Sequence, residues 1–165
     1  MIMAPALRKF VLTTHVATSV GWLGAVIAYL ALDVTAVTSR DVQTVRAAYL
    51  AMELTVRYAI VPLALASLLV GIVNALGTPW GLFRHYWVIF KLVLSALATV
   101  ILLTYTQTID GLAATAATAA DPRGLPGSLP HSAGAVMVLL IITGLSVYKP
   151  RGVTGYGWRK QQEKG

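Results

Sequence analysis

The sequence contains no cysteine. That absence removes disulfides, thiolate-bound zinc, iron–sulfur clusters and covalent c-type haem attachment together. Charge is nearly as scarce: Asp, Glu, Lys and Arg make up 12% of the 165 residues, against about 25% in soluble domains. Acids are the rarest of all, six in the whole chain. No pair of them falls inside an apolar run, so two-carboxylate hydrolysis and a carboxylate-lined ion path have no material to work with. There is no G-x-x-x-x-G-K-[ST] loop, no G-x-G-x-x-G and no G-x-S-x-G, which removes the common nucleotide-binding and esterase signatures. A Ser/His/Asp triad cannot be assembled from so few acids.

What fills the chain instead is hydrocarbon. Hydrophobic residues make up 57% and the mean hydropathy is +0.73. Four apolar runs stand out, at about 10–32, 59–76, 87–109 and 132–148. The first, Phe10 to Leu32, carries no charge and would span roughly 35 Å as a helix, enough for a bilayer core of about 30 Å. Its length is too great for the apolar segment of a cleavable signal peptide, and no A-x-A site precedes Asp33, so it reads as a retained first helix. The fold class expected is all-α: an integral membrane four-helix bundle, up-down-up-down, in a single domain over 1–165.

The net charge of +7 invites a nucleic-acid reading, but its placement argues for topology. With alternating spans, Arg8, Lys9, Arg84, Lys91, Lys149, Arg151, Arg159, Lys160 and Lys164 share one side, nine basic residues. Arg40, Arg46, Arg57 and Arg123 share the other. The positive-inside rule then puts both termini in the cytoplasm of a bacterial plasma membrane protein, with residues 149–165 as a basic cytoplasmic tail. The partner this requires is the lipid bilayer, with a homo-oligomer or a membrane redox partner as further expectations and no nucleic acid.

Between the first two runs the pattern changes. Val42, Val45, Tyr49, Met52 and Val56 recur every three or four residues, with Arg46, Glu53 and Arg57 off that stripe, which predicts an amphipathic helical extension before helix 2. Thr38 and Asp41 have capping-box spacing. Pro62 opens the second span and is expected to kink it. Residues 110–130, Ala/Thr-rich and then Pro/Gly-rich, read as a loop, helical in part at most, with helix 4 beginning at His131-Ser132.

In helix 1, small residues recur at Thr14, Thr18, Gly21, Ala25 and Ala28, a stripe that lets another backbone come close. His15, Thr18, Ser19 and Trp22 lie beside it, so the polar face and the packing face coincide. An imidazole in a span is a functional candidate by default. In such a bundle His15 and His85 fall near one end and His131 at the other. Two imidazoles on facing helices can clamp a haem iron. The candidate cofactor-binding set is therefore His15, His85, Arg84 and Lys91, with His15 and His85 on the metal of haem b and the two cations near its propionates. The plainer alternative has His15 bonded to a helix hydroxyl, His85 at the interface and Lys91 snorkelling to the headgroups.

The spacing R-K-F-x4-His15-x6-Trp22-x-Gly24, followed by Trp87-x3-Lys91 at the head of the third span, resembles small bacterial four-helix membrane proteins of the HemJ-like and CopD-like superfamily. The tail SVYKPRGVTGYGWRK is similar to its uncharacterised branch. The resemblance implies haem b binding at the first-helix histidine, hence at His15, and matches Lys91 to the third-helix lysine. It does not extend to protoporphyrinogen oxidation, and the Met/His-rich copper stretch of the larger CopD-like members is absent. The function expected is electron transfer or oxidoreductase chemistry on haem b. A scaffold or accessory subunit and a small-solute or metal transporter stand as alternatives.

Overall fold

The computed structural model describes residues 3–78 and 81–162; Lys164, counted above on the basic side, lies outside them. The described residues form six α-helices: α1 Pro5–Thr38, α2 Val42–Thr55, α3 Val61–Leu76, α4 Tyr86–Thr118, α5 Leu129–Tyr148 and α6 Gly155–Gln162. Four helical stretches are long and apolar enough to cross a membrane: α1, the continuous Val42–Leu76 stretch, α4 and α5. Their outward faces carry exposed Phe10, Val20, Leu69, Leu97 and Met137, a surface suited to hydrocarbon rather than water.

The helices outrun the apolar runs that announce them. α1 has 34 residues and α4 has 33, about 50 Å each at 1.5 Å per residue. Pro5 opens α1 at a position where a missing N–H costs nothing. Thr38 and Asp41 do not form the expected capping box. Asp41 is itself the N-cap of α2, accepting from Thr44 N at 2.8 Å and from Thr44 Oγ1 at 2.7 Å. The Ala/Thr stretch after Asp110 is helix to Thr118, because alanine keeps its helix preference where no turn residue intervenes.

A π-helical segment, Val56–Ile60, joins α2 to α3 without a break. Its cause is Pro62, which has no N–H for the carbonyl four residues back and whose ring crowds that carbonyl. Widening the turn accommodates both. The amphipathic extension is thus confirmed and runs directly into the second apolar stretch.

Two contacts define the ends. At the near end, Met3 N donates to Gly77 O and His85 pairs with Val153 across an isolated bridge. At the far end, Asp33 of α1 meets Ser128 at the start of α5. Around the bundle α1 packs on α3 and α5, and α4 packs on α3 and α5. The core fills the far half: Val26, Tyr29, Ala36, Val45, Tyr49, Met52, Ile109 and Ala116 are all buried in one cluster. Alanines on α1, α2 and α4 let those helices approach closely there. The near half is different, because its centre is hollow.

Candidate functional site

The hollow has a volume of about 700 Å³, within the roughly 300–1,000 Å³ typical of cofactor-sized sites. All four long helices wall it. Trp22, Leu23 and Leu139 close it toward the packed core, and Leu12, Val16, Leu68, Ile72 and Ile142 make its sides apolar. The polar lining groups include His15 and Ser19 from α1, Ser67 and Asn74 from α3, Lys91 and Ser95 from α4, and Thr143 and Ser146 from α5. Arg8, Lys9 and Lys149 join Lys91 on the lining, and among the described residues no Asp or Glu lines it.

His15 is positioned by close backbone packing. A Cβ on Gly71 would fall 2.8 Å from His15 Cε1, so only glycine lets the imidazole lie against α3. Further along α1, a Cβ on Gly21 would fall 3.4 Å from Leu63 Cδ2, and Ser19 Oγ and Ser67 Oγ share a hydrogen bond of 2.8 Å. Of the small-residue stripe read in the sequence, Gly21 serves the α1–α3 contact, while Ala28 is exposed. His15 Nδ1 is fully enclosed and makes no hydrogen bond, although the Ser67 carbonyl lies close to the ring. Asn74 Oδ1 is likewise enclosed without a partner. Such atoms are costly in an apolar setting and mark places where a ligand or a small rearrangement would be favourable.

Lys91 lines the cavity and stands 5.5 Å from the centre of the Trp87 ring, near enough for a cation–π contact. The inward position, one of two weighed from sequence, is the one observed. Trp87, Lys91 and Ser95, spaced four apart on α4, share the lining, and Thr99 is buried one turn further along.

His85 and Arg84 are placed otherwise. Neither is among the lining residues. His85 is the N-cap of α4 and bridges to Val153. The Arg84 carbonyl accepts from Thr154 N at 3.0 Å, and Thr154 Oγ1 donates to Phe83 O at 2.7 Å. Both belong to a seam that ties the C-terminal tail to the 83–86 segment. Of the four expected site residues, the structure brings His15 and Lys91 to one cavity and sets His85 and Arg84 outside it. Among the described residues, no three His, Cys, Asp or Glu side chains come together as a metal site.

A second polar cluster, at the far end, was not anticipated. Asp33 is fully buried. Its Oδ1 accepts from Ser128 N at 2.9 Å, and its Oδ2 accepts from Ser128 Oγ and Ser132 Oγ, each at 2.8 Å. Tyr29 OH lies 2.9 Å from Ser128 Oγ, and His131 stacks on Tyr105 at 3.9 Å between ring centres. Asp33 thus supplies from α1 the cap that α5 lacks on its own chain, since Ser128 makes no side-chain cap bond. The only hint in the sequence was the acid itself at the end of an apolar run; its serine partners lie 95 and 99 positions away.

Comparison of the chain with family models, with curated proteins and with solved structures finds no match.

Proposed function

We propose that the chain is a multi-pass membrane protein whose four long helices run up-down-up-down with both termini in the cytoplasm, and that the near-end cavity holds haem b. One observation carries the reading: a histidine with an unpartnered, enclosed Nδ1 borders a cofactor-sized hollow whose described lining residues include four cations and no carboxylate. The residues present fit the group. Apolar walls suit a porphyrin face, a neutral imidazole suits iron, and ammonium groups suit propionates.

His15 is the proposed axial ligand, its ring lying against Gly71 of α3 with the Ser67 carbonyl close by. Donation from the ring nitrogen left free of iron to that carbonyl would fix the ring and raise its basicity, as in other metal-bound histidines. Lys91 faces the propionates, and Trp22 shields the inner edge of the site from the core side. His85, outside the lining, is not assigned to the iron. Haem, when bound, supplies one-electron chemistry, and the proposed role is electron transfer or oxidoreductase chemistry with a membrane partner.

The test is spectroscopic. Protein purified in detergent after haem supplementation should show a Soret band that His15→Ala loses and His85→Ala keeps; a colourless preparation ends the proposal. Orientation is tested separately, helped by the lack of native cysteine. Gly155→Cys should react with a membrane-impermeant maleimide only after cells are opened, and Ser39→Cys in intact cells. The reverse pattern would overturn the assigned orientation.

A further inference from the structure

The residues that line the hollow divide by exposure. Those on α3 and α4, among them Ser67, Ile72, Val88 and Leu92, are buried or half-buried. Below the rim, and among the described residues, the lining is exposed only on α1 and α5, at Leu12, Val16, Val20, Thr143 and Val147. Val20 is 62% exposed and Val147 71%. Along this seam the side chains that wall the hollow are also the outer surface of the bundle, so the wall there is one side chain thick.

The two edges of the seam are in register. Asp33 of α1 meets Ser132 of α5 at the far end. Val20 and Thr143 both lie roughly 18 Å along their helices from that contact, and Val16 and Val147 roughly 24 Å. The edges are also hydrocarbon. Thr143 Oγ1 donates to Leu139 O at 2.8 Å and Ser146 Oγ to Ile142 O at 2.9 Å, so these α5 hydroxyls are satisfied within their own helix. No Asp, Glu, Lys or Arg stands in α1 between Lys9 and Asp33, and none stands in α5. A water-borne solute would have to shed its hydration to cross such an edge. A molecule already dissolved in hydrocarbon sheds nothing, and it gains dispersion contacts with the apolar walls once inside.

We infer that the α1–α5 seam is a lateral portal: the hollow is loaded from the bilayer, and its ligand is a hydrocarbon-soluble molecule that slides between the two helices with its apolar body first. The inference rests on the proposed membrane placement, and it deepens the proposed ligand site by naming the phase that supplies it. Haem, with its apolar porphyrin faces, belongs to that class. So does a fatty acid, which serves as a probe independent of haem.

The experiment reconstitutes the full chain in phosphatidylcholine vesicles with a fatty acid that carries a photoactivatable diazirine in its chain. Adducts are mapped by mass spectrometry. They should form on Trp22, Leu23 and Leu92 of the lining as well as on the outward-facing Leu69 and Leu97. The lack of native cysteine allows a reversible lock. Val20→Cys with Thr143→Cys, joined across the seam by a bifunctional thiosulfonate, should lose the lining adducts, keep those on Leu69 and Leu97, and regain the lining adducts on reduction. Val16→Trp with Val147→Trp narrows the seam by bulk alone. It should slow the growth of the Soret band when haemin is supplied from haemin-loaded vesicles, with the final absorbance unchanged.

Lining adducts that survive the lock, with haemin loading at the wild-type rate in the tryptophan variant, overturn the portal and leave the haem proposal intact; the ligand then enters from water at the rim. Wild type labelled on Leu69 and Leu97 alone also overturns the portal. Lining adducts lost on locking, in a protein that gives no Soret band, keep the portal and end the haem proposal. Absence of adducts even on Leu69 and Leu97 overturns the membrane placement and the portal with it.

Discussion

Replacing Asp33 with alanine should destabilise the far end of the bundle by about 3 kcal/mol. The figure comes from the fate of three donors. Ser132 Oγ has a substitute, since it already lies 3.2 Å from Leu129 O. Ser128 Oγ keeps Tyr29 OH at 2.9 Å. Ser128 N has nothing to replace Asp33 Oδ1, and a buried backbone N–H left unpaired costs about 1–3 kcal/mol by itself. The rest is the weakening of two hydroxyl bonds to a charged acceptor. Asp33→Asn keeps the shape but loses the charge and turns one acceptor into a donor, so it should cost about half as much.

Unfolding in mild detergent, followed by helical circular dichroism against SDS mole fraction, reads the global term. Hydrogen exchange over 125–132 reads the local one, and Ser128 N–H should lose protection first. A double-mutant cycle with Ser132→Ala should show coupling between residues 33 and 132. If Asp33→Ala unfolds within about 0.5 kcal/mol of wild type, below what one orphaned N–H alone costs, the reasoning fails.

Gly71→Leu should displace the His15 ring and abolish any haem absorbance while leaving the helix content unchanged, because even a Cβ there comes within 2.8 Å of His15 Cε1. Gly157→Ala should free the tail, since the new methyl would sit 2.5 Å from the Arg84 carbonyl oxygen; limited proteolysis of detergent-solubilised protein would then cut near residue 155 faster than in wild type. Hydrogen bonds from Arg123 hold the Asp121 carboxyl down at about 2, below its ordinary 3.8. A depressed acid stabilises the folded loop above its unfolded value and stops doing so as pH falls through the folded one. The 121–123 turn should therefore stay ordered to pH 4 and loosen between 4 and 2, which carboxyl carbon chemical shifts would follow, and Asp121→Asn should remove that titration.

The long apolar runs made the four principal helices legible, because a 20-residue hydrocarbon stretch admits few other structures. The amphipathic stripe from Val42 to Val56 was legible for the same reason: its period is local information. The ends of α1 and α4 were not. Thr35 and Thr38, and Thr115 and Thr118, extend these helices past the hydrophobic limit by bonding their hydroxyls to carbonyls one turn back, which satisfies polar groups that composition alone assigns to a loop.

Within the site, the inward face of His15, Ser19 and Trp22 followed from helical spacing. Setting His85 beside His15 assumed that a residue at the right depth also faces inward, whereas a residue at a helix N-terminus is directed by its cap and by the bridge to Val153. The Asp33 cluster depends on a contact across most of the chain, which no periodicity encodes. Nor does any pattern in the sequence reveal that Lys149 takes a glycine's conformation, with φ 43°.

The unequal filling of the two halves bears on what kind of traffic the molecule can support. Trp22, Val26, Ile60, Ala64 and Leu139 form a solid plug above the hollow, and beyond them Asp33 cinches the last turn of the bundle shut. A ligand seated in the hollow, as proposed, would be kept to the near half, because the packed side chains leave it no room beyond Trp22 and Leu139.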